Sequence, residues 1–224
     1  MRTLKLLTLS IVATALSASA ASAQACLGLP SFANGSVHVN AGGEFYEDAT
    51  TYAAGIGAGR PNNLFANLGG GQTAFEAIDG APEGKTKFGF LEFGYQFPLA
   101  TAQFCPIAGG YFSAGPDDDA TGQKVTTYGA TAGFALGLPI DVGSFRVIPN
   151  AGVQYQMGSQ KVEFDDVEAS NDSFDEGTLN LGLALVFGDR FSIQPLAHIP
   201  VGADEGARTN FGVFASVSFG WISR

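Results

Sequence analysis

Thr209-Asn210-Phe211-Gly212-Val213-Phe214-Ala215-Ser216-Val217-Ser218-Phe219-Gly220-Trp221 is a stretch of strict two-residue period. Phe211, Val213, Ala215, Val217, Phe219 and Trp221 are apolar, and the residues between them are mostly small or polar. Such a period means a strand with one greasy face and one wet or crowded face. The pattern recurs upstream. Phe145, Val147, Pro149, Ala151, Val153, Tyr155 and Met157 alternate with Arg146, Ile148, Asn150, Gly152, Gln154, Gln156 and Gly158. Leu179, Leu181, Leu183, Leu185 and Phe187 alternate with Thr178, Asn180, Gly182, Ala184 and Val186. Read this way, strands are predicted over residues 36–46, 50–59, 64–75, 85–97, 104–113, 124–138, 145–158, 177–187, 191–200 and 209–221.

The N-terminus carries an export signal over residues 1–23. Arg2 and Lys5 make a basic start, residues 6–16 are apolar or small, and Ala21-Ser22-Ala23 is a small-x-small cleavage site. Residues 24–35 then form a periplasmic N-terminal segment, and residues 36–221 a single all-β domain. No later segment approaches 18 uninterrupted apolar residues, which excludes a helical membrane protein. The net charge of −10 becomes −12 once Arg2 and Lys5 leave with the signal, so nucleic acid is not a partner. The 31 glycines have no collagen period and sit inside alternating runs, where they mark crowded walls and bends.

The connections alternate in character. Those at 60–63, 99–103, 139–144 and 188–190 are short. Those at 76–85, 114–123, 159–176 and 201–208 are longer and acidic, while the first on that rim, 47–49, is short but still acidic. Short turns at one rim and long loops at the other are the pattern of a transmembrane barrel, with both termini at the short-turn, periplasmic rim. Parity also sorts the aromatics into two belts. Phe45, Tyr52, Phe112, Tyr128, Tyr155 and Phe211 lie near the loop rim; Phe97, Phe104, Phe145, Phe187, Phe191, Phe219 and Trp221 lie near the turn rim. Parity alone does not say which face meets lipid, so a soluble barrel with its aromatics inside is the competing reading.

On these residues the chain resembles the small outer-membrane β-barrel proteins of Gram-negative bacteria, the OmpA-like and porin-like group. The resemblance implies an up-and-down antiparallel barrel in the outer-membrane lipid. Ten strands are counted here, with eight as the alternative common in that group. Phe219 and Trp221 look like the terminal aromatic strand read by the barrel-insertion machinery, although Ile222-Ser223-Arg224 follow the last aromatic.

Chemistry-bearing constellations are sparse. The two histidines, His38 and His198, fall near opposite ends of the barrel, and His198 with Glu44 or Asp204 is the nearest approach to a rim active site. No catalytic residue, metal site or cofactor is expected. The Asp117-Asp118-Asp119 run lacks the spaced ligands of a calcium loop and reads as solvated charge. Inward by parity, Glu44, Glu92, Arg146, Asn150 and Gln154 form a polar lumen network, read as a plug in preference to a selectivity site. The expected function is therefore a structural or surface-interaction barrel displaying acidic loops. A narrow porin-like channel for small solutes is the alternative, and a rim-site enzyme a distant third.

Cys105 opens the fifth strand at the periplasmic rim and points inward. Cys26 lies ten residues before Ser36 on the same side. Ten residues reach about 33 Å, enough to cross a small barrel's mouth. A Cys26–Cys105 disulfide is expected in this oxidising compartment, drawing residues 24–35 across the opening. Free thiols, or a lipid-modified Cys26, are the other two possibilities.

Overall fold

Ten long strands form, and each pairs antiparallel with its sequence neighbours until the last returns to the first. The computed structural model describes residues 25–27, 36–60, 63–76, 84–115, 123–164, 167–188, 190–202 and 209–220. The strands are β1 (Ser36–Phe45), β2 (Ala49–Gly59), β3 (Leu64–Phe75), β4 (Gly84–Tyr95) and β5 (Gln103–Ala114). They continue as β6 (Gln123–Gly137), β7 (Phe145–Phe164), β8 (Val167–Phe187), β9 (Phe191–Val201) and β10 (Asn210–Gly220). Two short pieces, Phe97–Pro98 and Ile140–Val142, pair with the starts of β5 and β7 beside the tight turns. The export signal at 1–23, Trp221, the 117–119 acidic run and Asp204 lie outside the described residues.

Closure is explicit in the register, because Ser36 of β1 faces Gly220 of β10 and Gly59 of β2. From Gly42, the partners through β2 to β7 lead to Asp172 on β8. The other way, through Phe214 and Gln194, the path meets β8 at Ala184's level. The offset is twelve residues (184 less 172). A ten-stranded wall with that stagger tilts its strands by about 40° and has a backbone radius of about 10 Å. About ten tilted residues then cross a 25 Å apolar band.

Burial settles which face meets lipid. Outward residues include Leu68 at 57% exposed, Phe93 at 52% and Leu183 at 43%, whereas inward His38 is 1% exposed and Ser218 4%. A soluble barrel would hide the first set and solvate the second. Aromatic rings form the expected belt at the turn rim: Tyr95, Phe97, Phe104 and Phe134 make one chain of neighbouring rings, and Phe145, Phe187 and Phe191 another. At the loop rim Phe45, Tyr52, Phe112, Tyr128, Tyr155 and Phe211 are all outward and exposed.

One connection departs from the sequence reading. Most of residues 159–176 continues β7 and β8 rather than looping, with pairing from Ser159–Ser173 out to Phe164–Val167 and a bulge between Glu168 and Ser170. Twenty- and twenty-one-residue strands are about twice what a crossing needs, so this hairpin stands well proud of the membrane. Its acidic composition suggested a loop. Cross-strand pairing decides instead, as β7 rests on β6 as far as Gln123–Phe164.

Candidate functional site

The wall encloses a lumen that is organised from floor to mouth. At the turn rim Cys26 is bonded to Cys105, with Cα atoms 6.0 Å apart. The short 3-10 turn Ala25–Leu27 is thereby held inside the barrel. Cys26 and Cys105 pack with Phe65 and Ala135, and Leu27 and Ile107 close around them. Phe65 projects inward from β3, and its ring lies where a Cβ on Gly94 would be. Ile148, Ala184 and Val186 make a second apolar cluster on the facing wall. Gln103 Nε2 donates to Gln96 Oε1 at 3.2 Å, both residues being buried. The floor is built of packed, buried side chains.

Above it lies a polar belt. Asn67 Nδ2 donates to Glu92 Oε1 at 2.9 Å, and Gln194 Nε2 donates to Asn150 Oδ1 at 3.2 Å. His38, from β1, sits beside Gly57, whose missing side chain makes room for both the imidazole and the Asn67 amide. A cavity of about 290 Å³ runs through this belt, bounded below by Cys26 and Leu27 and above by Glu44 and His198.

The outer cluster is built by four adjacent strands. β1 supplies Glu44, β8 Asn180, β9 His198 and β10 Asn210; register places Asn180, His198 and Asn210 at one level. Gly212 faces Glu44 across β1 and β10, and a Cβ there would touch the Glu44 side chain. Glu44 Oε2 accepts from Tyr46 Oη at 3.0 Å and from Asn210 Nδ2 at 3.4 Å, while Oε1 lies 3.4 Å from His198 Nε2. His198 Nδ1 is hydrogen-bonded to the Asn180 amide oxygen. Tyr46 lies just beyond β1. Burial first, then the Glu44 charge, pushes its phenol above the usual range, so it remains a donor.

The five residues read from sequence as one lumen network occupy separate places. Glu44 belongs to the outer cluster, Glu92 and Asn150 to opposite sides of the belt, and Gln154 lines the cavities between them. Arg146 is at the turn rim, where its Nε donates to Asp141 Oδ1 at 2.7 Å. A guanidinium at the first inward position of β7 is within reach of the preceding turn, and the mid-lumen carboxylates are not the partners of that contact. Asn210 and Tyr46 were not singled out from the sequence. Asn210's inward parity on the last strand carried a signal, whereas Tyr46 lies past the end of its strand, where parity lapses. Phe219, of the terminal aromatic pair, is outward and 56% exposed.

No protein family and no curated protein matches the sequence. Solved structures do match in shape. The translocator domain of the autotransporter NalP from Neisseria meningitidis is 15% identical, over 87% of this chain and 91% of that one, with a TM-score of 0.51. The β domain of the Bordetella autotransporter BrkA is 13% identical, over 83% of this chain and 100% of that one, with a TM-score of 0.50. The fold is that of an outer-membrane β-barrel. With the apolar wall described above, the chain crosses the outer membrane ten times. At this identity the likeness carries the fold and no activity.

Proposed function

We propose that this protein is a closed, non-conducting structural barrel of the outer membrane that presents its long acidic hairpin to the cell exterior. The observation that carries this reading is the Cys26–Cys105 bond, which holds a turn of the N-terminal segment inside the lumen against Phe65 and Ala135. A backbone cylinder of about 10 Å radius leaves little space once inward side chains fill it, and a tethered turn takes up what remains at the floor. The hairpin adds the display element. Its outer half carries Glu163, Glu168, Asp172, Asp175 and Glu176 against Lys161, with Phe164 and Val167 exposed beside the tip.

The reading is non-enzymatic. His198 Nδ1 is tied to the Asn180 amide oxygen and Nε2 lies 3.4 Å from Glu44 Oε1, and no serine, threonine or cysteine is in hydrogen-bond contact with the imidazole among the described residues, so the arrangement supports an anchoring role for this histidine. Assembly would use the barrel-insertion machinery acting on the aromatic C-terminal strand that carries Phe219, with Trp221 two residues further along the sequence.

Planar-bilayer recording of the purified mature protein tests the proposal. Wild-type protein should be silent or conduct only weakly, and Cys26→Ser should raise conductance by freeing the turn. Large, stable conductance from oxidised wild-type protein would replace this reading with the narrow-channel one.

A further inference from the structure

Above the outer cluster the lumen opens into a vestibule of about 650 Å³, lined in part by Glu44, Glu47, Asp48 and Glu176. Among its described lining residues the one basic side chain is His198, already in contact with Glu44. Tyr46 and Phe75 put aromatic surface into the same space, and Gln154, Gln156 and Asn180 line it with amides. Asn210, 6% exposed, also lines it. Its Nδ2 serves Glu44, while its Oδ1 has no partner among the described residues. A buried acceptor without a donor is costly, and a ligand carrying N–H groups would satisfy it.

We propose that this vestibule binds a linear organic polycation, a diamine or longer polyamine, with one ammonium at Glu44 and Asn210 and another at Glu176. The volume falls in the range of small-molecule sites. Carboxylates concentrated at one mouth of a low-dielectric wall raise the local concentration of cations. A divalent metal fits less well. Calcium or magnesium needs several oxygens converging within about 2.0–2.6 Å of one point, and no three His, Cys, Asp or Glu among the described residues are grouped to hold an ion. Separated charges suit a ligand whose own charges are separated. Aromatic walls at Tyr46 and Phe75 add cation–π attraction and cover the methylene stem.

The site does not depend on whether the barrel conducts, so it stands apart from the closed-barrel reading. Calorimetric titration of the refolded mature protein with 1,4-diaminobutane tests it, alongside butylamine, magnesium chloride and succinate. Saturable one-to-one binding of the diamine is expected, with butylamine at least about tenfold weaker and succinate silent, as each charge-assisted contact is lost. Glu176→Gln should weaken the diamine by about tenfold, and Asn210→Leu should do so too if it keeps the folded barrel's heat-sensitive gel mobility. Because Glu44 has several lumen partners whose loss could disturb folding, Glu176→Gln is the deciding variant. No saturable binding to wild type, an unchanged affinity in Glu176→Gln, or magnesium binding more tightly than the diamine would each overturn the proposal.

Discussion

Glycine and ring positions explain how a narrow wall holds large side chains. The inner wall carries Phe65, Phe90, Phe214 and Tyr111, and each lies where a Cβ would project from a neighbouring glycine: Gly94, Gly69, Gly42 and Gly129. Gly57 plays this part for His38 and Asn67 together. Gly57→Ala should therefore displace a 1%-exposed imidazole and strain the belt, costing about 1–3 kcal/mol in reversible urea unfolding from lipid vesicles. On the outer wall the chemistry inverts. Leu183→Arg puts a charge on the lipid face and should cost about 2–4 kcal/mol by the same measurement if the site lies near the midplane. Asn180→Ser, facing the lumen, should cost less than Leu183→Arg. Side-chain direction was legible at these positions because alternation fixes it. Partners were not. Arg146 reads as a lumen cation, and one of its contacts is the Asp141 carboxylate five residues earlier, which only the turn geometry brings round.

At the scale of strands, the sequence showed crossing segments well and the extramembrane part poorly. Apolar alternation marks a strand because lipid demands it. Beyond the membrane, residues 159–164 and 167–176 are held by pairing to each other and to β6, which leaves little hydropathy signal. Among the described residues the outer half of β8 pairs with β7 alone, because its ladder to β9 begins at Gly177–Val201. An open edge invites unwanted strand addition, and this one carries Glu168, Asp172, Asp175 and a bulge, all of which discourage it. Lys161 bridges Glu163 at 2.8 Å and Glu168 at 3.4 Å, an exposed cluster of small net worth. The hairpin should therefore be dispensable for insertion. Replacing residues 157–174 by a two-residue turn should leave heat-modifiable gel migration intact; loss of the folded band would show that the barrel needs the projection.

For the molecule as a whole, three features converge on one rim. The start of β1 faces the end of β10, the disulfide joins Cys26 to the start of β5, and the tight turns at 139–144 and 188–190 lie between strands on the same side. The disulfide could contribute about 2–4 kcal/mol by closing a long loop in the unfolded chain. It forms where the compartment is oxidising, which is the periplasm for a chain delivered from that side. On the proposed orientation, with the disulfide rim at the periplasm, the hairpin of β7 and β8 faces the exterior. Register fixes this relation rigidly, since any strand runs from one rim to the other. An epitope tag inserted between residues 165 and 166 should be seen by antibody on intact cells, while the same tag after Gly143 should be seen only once the outer membrane is permeabilised. Gly143 has a φ of 61° and no atom near its missing side chain, so the turn there has room for an insertion. Surface labelling of the tag after Gly143, with the 165–166 tag hidden, would invert the barrel in the membrane. It would also place the outer cluster of Glu44 and His198, with its acidic vestibule, on the periplasmic side.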